Sequence, residues 1–231
     1  MGDVAVVIEP DPNLRRILRA HLALRRCACL EAEGHAEGLR LARAHHPAAV
    51  VLDVDAPGDD PAEATRRLHA GTRAGILVLG DGDDPAALAR CLDAGADDFL
   101  AKPFTAAELA SRFELVAGPP TGAPAPRSGR ACPLALDPDR RAVRLASRPV
   151  ALGEREYQLL AVLLRRAGHV LTIRQLARAL WGDAGRGRAD DVRRLMMALR
   201  RKLERDPARP RLLRTETGIG YRAVARAGDL A

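Results

Sequence analysis

The chain has 231 residues, 47% of them hydrophobic and 29% charged, with a formal net charge of +7, which allows one large domain or two of ordinary size. No apolar stretch approaches the roughly 18 residues needed to span a bilayer, and no basic-then-apolar leader precedes a small-residue cleavage site, so the cytoplasm is the expected location. The charge is divided: residues 1–118 carry 13 Lys+Arg against 19 Asp+Glu, and residues 119–231 carry 24 against 11. An acidic half joined to a strongly basic half suits only the second to a polyanion such as DNA, RNA or an anionic membrane.

In chain order, short apolar runs alternate with amphipathic ones as far as residue 117. "VAVVI" precedes "LRRILRAHLALR"; a weak strand around "RCACLEA" precedes "AEGLRLARAHH"; "AAVVLDVD" precedes "AEATRRLHA"; "GILVLG" precedes "PAALARCLDAG"; and "DDFLA" precedes "AAELASRFELV". Near-continuous apolar strands separated by amphipathic helices predict a doubly wound parallel sheet of five strands, covered on both faces by five helices. Ligands of such sheets sit beyond the carboxyl ends of the strands. Between the first strand and helix, Asp11-Pro12-Asn13 reads as a helix start, with Asp11 as N-cap and Pro12 at the first helical position.

The segment "GPPTGAPAPRSG" has neither periodicity nor bulk and reads as a semi-extended linker. Beyond it, "CPLALDPDRRAVRLASRPVALG" alternates apolar and polar residues as a small antiparallel sheet does. Three helices follow, "EREYQLLAVLLRRAG", "TIRQLARALWG" and "ADDVRRLMMALRRKLE", and "LLRTETGIGYRAV" supplies a terminal hairpin. Three helices and such a hairpin make a winged helix-turn-helix. The four cysteines, Cys27, Cys29, Cys91 and Cys132, have neither C-x-x-C nor metal-ligand spacing and read as reduced, mostly buried residues. Of 37 basic residues only Lys102 and Lys202 are lysine, which suggests that a retained lysine has a task a guanidinium cannot perform.

"LDVDAPG", "GADDFLAKPF" and "TGIGYR", at their spacing, make nearly the whole chain resemble response regulators of the OmpR/PhoB class. The resemblance implies a flavodoxin-like receiver domain (1–117), a linker (118–130) and a winged-helix DNA-binding domain (131–231). "LERDPARPRLLRTETGIGYR" is similar to the KdpE branch of that class. Asp53 matches the family's phosphoacceptor, Lys102 the lysine that steadies the phosphoryl oxygens, and Phe99 the aromatic switch residue; Pro103 stands where the family has a cis peptide that turns the lysine inward. A carboxylate can attack phosphorus when a divalent cation screens its charge and a cation steadies the phosphoryl group.

Two departures touch that chemistry. Glu9 matches the first member of the family's acid pair, but Pro10 stands where the second, a direct magnesium ligand, is expected, and proline has no side-chain oxygen. Asp11 reads as a cap rather than a replacement ligand, and at the position of Asp55 the family uses only the backbone carbonyl. The metal set shrinks to Glu9 and Asp53, so Mg²⁺ binding is weakened or lost and no cofactor is required. Gly80 replaces the threonine or serine whose hydroxyl closes on the phosphoryl group. Pro61 stands where a glycine is usual, and Asp81, Asp83 and Asp84 read as a solvated acidic loop rather than a cation site. The expectation is an atypical receiver that works with little or no phosphorylation of Asp53.

The resemblance also implies a homodimer paired through the fourth helix, fifth strand and fifth helix, where Asp98, Glu108 and Arg112 match the charged set and Leu88 replaces a common basic residue. Glu108 and Arg112, four apart, could instead pair within the chain. For double-stranded promoter DNA, the third helix of the basic half turns Val192, Met196, Leu199 and Leu203 inward. Arg193, Arg194, Arg200, Arg201 and Lys202 lie off that stripe and suit phosphates and guanine edges. Arg214, Thr217 and Arg222 flank a wing that commonly enters the minor groove, while Tyr221 can equally anchor the wing in the core. Met197 and Ala198 fall where many relatives have basic or polar DNA contacts.

Three other readings compete. A conventional regulator would be activated by a sensor histidine kinase at Asp53. A transcription factor of the same build could be switched by a small ligand near the acidic pocket. From another class, Asp53-Val54-Asp55 after an apolar strand also fits the D-x-D of phosphohydrolases of the haloacid-dehalogenase type, although that leaves Lys102-Pro103 and the basic domain unexplained.

Overall fold

A computed structural model describes residues 3–118, 134–137, 142–145 and 148–224. The chain divides into two compact units, Met1–Ala125 and Pro126–Ala231. Beyond Gly118 the expected linker lies outside the described residues, as does Cys132.

The first unit alternates strand and helix: β1 (Val4–Ile8), α1 (Pro12–Leu24), β2 (Ala28–Ala32), α2 (His35–His45), β3 (Ala49–Asp53), α3 (Pro61–Gly71), β4 (Gly75–Asp81), α4 (Pro85–Ala94), β5 (Asp98–Lys102) and α5 (Ala106–Ala117). The five strands are parallel, in the order β2-β1-β3-β4-β5. Every residue of β3 is buried, as expected of a strand with helices on both faces. Ala5 and Val7 pack with Leu18, Leu22, Leu109 and Phe113 of α1 and α5. The alternate residue Ile8 points to the other face, where α2 comes so near that a Cβ on Gly38 would meet Ile8 Cδ1 at 2.2 Å.

Three helices of this unit start with the same dipeptide. Asp11, Asp60 and Asp84 each accept a backbone N–H of the first turn, with Pro12, Pro61 and Pro85 at the first helical position. Such a cap satisfies donors that a helix start leaves orphaned, and proline there forfeits no hydrogen bond. The same pattern accounts for Pro61 and gives Asp84 a structural task. Strand β4 runs one residue beyond Gly80, with Gly80 opposite Ala101 and Asp81 opposite Lys102.

The second unit begins with an antiparallel sheet of β6 (Leu134–Asp137), β7 (Ala142–Leu145) and β8 (Arg148–Ala151). It continues through α6 (Glu154–Arg165), β9 (Val170–Thr172), α7 (Ile173–Trp181), α8 (Ala189–Leu203), β10 (Leu213–Glu216) and β11 (Gly220–Ala223). The terminal hairpin is part of a three-stranded sheet, β10-β11-β9, because the three residues of β9 pair with β11. Strand β11 passes so close to β9 that a Cβ on Gly220 would lie 2.0 Å from the Leu171 carbonyl oxygen, and Gly218 turns the hairpin with φ +76°. Val192, Met196, Leu199 and Leu203 of α8 are buried against Leu159, Leu160 and Leu163 of α6 and Leu176 of α7, as their spacing predicts. Among the described residues no helix is long and apolar enough to cross a membrane.

Candidate functional site

The carboxyl ends of β1, β3 and β5 bring Glu9, Asp53 and Lys102 to one crevice. Asp53 is buried; its Oδ1 accepts the Asp55 N–H at 2.7 Å, and its Oδ2 forms an ion pair with Lys102 Nζ. Lys102 Nζ also lies 3.9 Å from Glu9 Oε2 and 4.0 Å from Asp55 Oδ2, and the Lys102–Pro103 peptide is cis. Burial lowers the proton affinity of the Lys102 amine, but the hydrogen bond and charge of Asp53, with the charges of Glu9 and Asp55, outweigh it and raise its pKa. Glu9 is buried and accepts the Asp11 N–H at 2.9 Å. Burial, followed by the neighbouring Asp53 side chain, pushes its pKa up to about 8, with the Asp11 hydrogen bond and the Lys102 charge opposing. Near neutral pH Glu9 is thus largely protonated, and the Lys102 ammonium stands among the side chains of Asp53, Glu9 and Asp55.

Pro10 leaves that set without a side-chain oxygen at the second position of the strand end. Mg²⁺ demands near-octahedral oxygen ligation, and the side chains that would hold it here are Asp53 and Glu9. Glu9 Oε2 and Asp53 Oδ2 are both buried and face the Lys102 ammonium. Among the described residues no group of three or more His, Cys, Asp or Glu side chains is placed to hold a metal. Asp81, Asp83 and Asp84 are all exposed.

Pro10 is held by a residue whose role the sequence did not reveal. Arg15 reaches back from α1 and donates from Nη1 to the carbonyl oxygens of Glu9 at 2.7 Å and Pro10 at 3.0 Å, while Nη2 pairs with Glu33 at 2.8 Å. This guanidinium ties the strand end to the first helix. Asp11 caps that helix, its Oδ1 accepting the Asn13 N–H at 2.9 Å, which confirms its reading as a cap.

Gly80 is a filled position as well as one without a hydroxyl. A Cβ there would meet Val54 Cγ2 at 2.9 Å and Leu88 Cδ2 at 3.0 Å, so two apolar side chains occupy the space a larger residue would need. Leu88 is only 1% exposed and Phe99 is also buried. Asp98 is buried too, and Arg112 Nη1 donates to its Oδ2 at 2.8 Å. Glu108 forms a capping box with Thr105 at the start of α5. Of the four residues expected at the pairing face, Leu88 and Asp98 are buried, Arg112 pairs with Asp98 within the chain, and Glu108 is exposed.

The residues expected to meet DNA divide into two groups. Arg193 pairs with Asp190 at 2.6 Å and Arg194 with Asp191, both on exposed turns of α8. Arg201 is exposed, with no hydrogen bond or ion pair to any described residue. Arg214 and Thr217 are exposed on β10 and at the hairpin turn. Arg200, by contrast, donates to the Leu213 carbonyl at 2.7 Å and stands 5.5 Å over the buried Tyr221 ring. Lys202 pairs with Glu156 and approaches the Ala151 carbonyl at 3.4 Å. Arg222 pairs with Glu216 at 2.7 Å, its side chain only 11% exposed. Arg200, Lys202 and Arg222 thus each make contacts within the domain, Lys202 from an exposed position. At about 100° per residue, Arg200 and Lys202 flank the buried stripe, a signal the sequence already contained.

The family model for the response regulator receiver domain matches residues 5–114, and that for the C-terminal part of transcriptional regulatory proteins matches residues 147–223. The chain belongs to the OmpR/PhoB-type response regulators, transcription regulators in which a receiver domain precedes a winged-helix DNA-binding domain. Over nearly its full length it is similar to the KDP operon transcriptional regulatory protein KdpE of Escherichia coli K12, 37% identical over 218 residues that cover 94% of this chain and 97% of the relative. Among solved structures it is similar to the response regulator DrrB of Thermotoga maritima, an OmpR/PhoB homologue, with 24% identity, 97% and 100% coverage and a TM-score of 0.49. It is also similar to the receiver domain of the sensor histidine kinase PA1611 of Pseudomonas aeruginosa PAO1, which has a magnesium ion coordinated in its active-site cleft. That match has 27% identity, covers 52% of this chain and 100% of the other, and has a TM-score of 0.47. Membership in a family of transcription regulators sets the D-x-D phosphohydrolase reading aside.

Proposed function

We propose that this regulator binds promoter DNA as a homodimer with little or no dependence on phosphorylation of Asp53. The observation that carries this reading is the end of β1, where Pro10 offers no side-chain oxygen to a cation and the neighbouring Glu9 is buried and largely protonated. A phosphoryl donor would meet an Asp53 that lacks a strong metal partner. The filled space at Gly80 supports the same reading, because a relay from the crevice to α4 lacks its hydroxyl. The dimer rests on the family resemblance, with Glu108 the expected contact that the monomer leaves exposed.

Asp53 and Lys102 in contact favour a second reading, in which a sensor histidine kinase, the partner a receiver domain implies, still phosphorylates Asp53. One experiment separates the two. The full chain is incubated with acetyl phosphate and Mg²⁺, aspartyl phosphate is measured by intact mass, and promoter binding and oligomeric state are followed with and without the donor. The proposal expects no stoichiometric modification, a dimer in both conditions, and the same affinity for wild type and Asp53→Asn. Stoichiometric phosphorylation at Asp53 that tightens DNA binding would establish the conventional mechanism instead.

A further inference from the structure

Among the described residues only three large hydrophobic side chains are exposed, Ile17, Leu24 and Met197, and Met197, 51% exposed, is the one in the second unit. It lies on α8 immediately after the buried Met196, about 100° further round the helix and so off the inward stripe. Arg194 stands three residues before it and Arg201 four after, which places all three on one outward face. Both arginines are exposed. The middle of an exposed, basic helix face is thus occupied by a thioether, and the next residue, Ala198, adds no donor.

We infer that Met197 is a specificity-determining residue that reads the C5 methyl group of a thymine in the major groove; this rests on the membership of the second unit in the DNA-binding winged-helix class. A thioether is at most a weak acceptor and has no donor, so against guanine, adenine or cytosine it would strand a polar edge atom that water had satisfied. Thymine alone presents a methyl group there. An unbranched, polarisable side chain can settle against that methyl while the flanking arginines engage phosphates and fix the helix in register. Hydrophobic contact here gives selectivity where the arginines give affinity.

The test uses the full-length protein and an operator recovered by in vitro selection from random duplexes. Each thymine in a half-site is replaced in turn by deoxyuridine, which removes the methyl group and nothing else. Wild type is expected to lose about fourfold in affinity at one position per half-site, the scale of one buried methyl group. Met197→Ala binds the thymine and uracil duplexes equally, and Met197→Gln no longer prefers thymine at that position when selection is repeated. Arg201→Ala weakens both duplexes alike. Wild-type binding that ignores uracil at every position while Arg201→Ala still weakens binding would overturn the inference and leave the DNA-binding face intact. Uracil sensitivity that survives in Met197→Ala would overturn it too, by giving the methyl contact to another residue. If neither the arginine nor the methyl groups mattered, the outward face of α8 as the reading surface would fall, and this inference with it.

Discussion

Leu88 Cδ2 stands where it would lie 3.0 Å from a Cβ on Gly80, so the glycine on β4 and the leucine on α4 share one packed volume, with Val54 as its third wall. Gly80→Thr, which would restore the hydroxyl of the family pattern, must push these side chains apart. Overpacking of this kind costs about 1–3 kcal/mol. Urea denaturation should show that loss for Gly80→Thr, and Leu88→Ala in the same chain should recover part of it by opening the space.

The donor set of the crevice makes a second expectation specific. In wild type, millimolar Mg²⁺ should leave the thermal midpoint unchanged. Pro10→Asp adds a carboxylate at the strand end held by Arg15, and a bound cation then stabilises the fold by mass action, about 1.4 kcal/mol at ten times its dissociation constant. Differential scanning fluorimetry with and without Mg²⁺ checks both halves of the statement.

Glu9 gives the fold a pH dependence with a defined sign. Its pKa in the folded chain is raised from 4.5 to about 8, so the folded state keeps a proton that the unfolded state releases. Unfolding free energy falls wherever the folded state holds more protons than the unfolded one. The contribution of Glu9 is therefore greatest below about pH 4.5, declines as pH rises through the interval to about 8, and is flat above it. Glu9→Gln keeps the neutral shape and cannot ionise. Its urea midpoint relative to wild type should move steadily in the variant's favour across that interval.

Two arginines one residue apart on α8 should fail in different ways. Arg201→Ala leaves the melting temperature in place and lowers DNA affinity, with the salt dependence of binding reduced by about one charge. Arg200→Ala removes the donors to Leu213 and Thr215 and the cation over Tyr221. Hydrogen bonds from a charged group are worth about 1.5–3 kcal/mol, and a loss on that scale should appear in thermal unfolding of the second domain. Calorimetry and fluorescence anisotropy on the two variants separate the cases.

What the sequence disclosed and what it withheld follow from how far apart the interacting residues lie. The strands of the receiver were legible because "VAVVI" and "AAVVLD" are buried on both faces and hold no polar residue until their ends. Asp11-Pro12 was legible because a cap is a contact between neighbours. The three residues of β9 were not, since so short a run has no alternation to read and is a strand only because β11 lies beside it. The spacing of Arg200 and Lys202 puts them beside the buried stripe, but their contacts with carbonyls 13 and 51 residues away leave no trace in it. The burial of Leu88 was hidden for a related reason: it depends on the atoms that Gly80, eight positions earlier, does not have.

The chain's one tryptophan, Trp181, ends α7, and the guanidinium groups of Arg155 on α6 and Arg188 at the start of α8 stand 5.6 and 5.2 Å over its ring. The indole is thus a built-in optical reporter, sensitive to the cations that surround it and located at the entrance to α8. The receiver contributes no tryptophan emission. A change in intrinsic fluorescence when duplex is added would come from the winged-helix domain alone, so docking can be timed in the unlabelled protein.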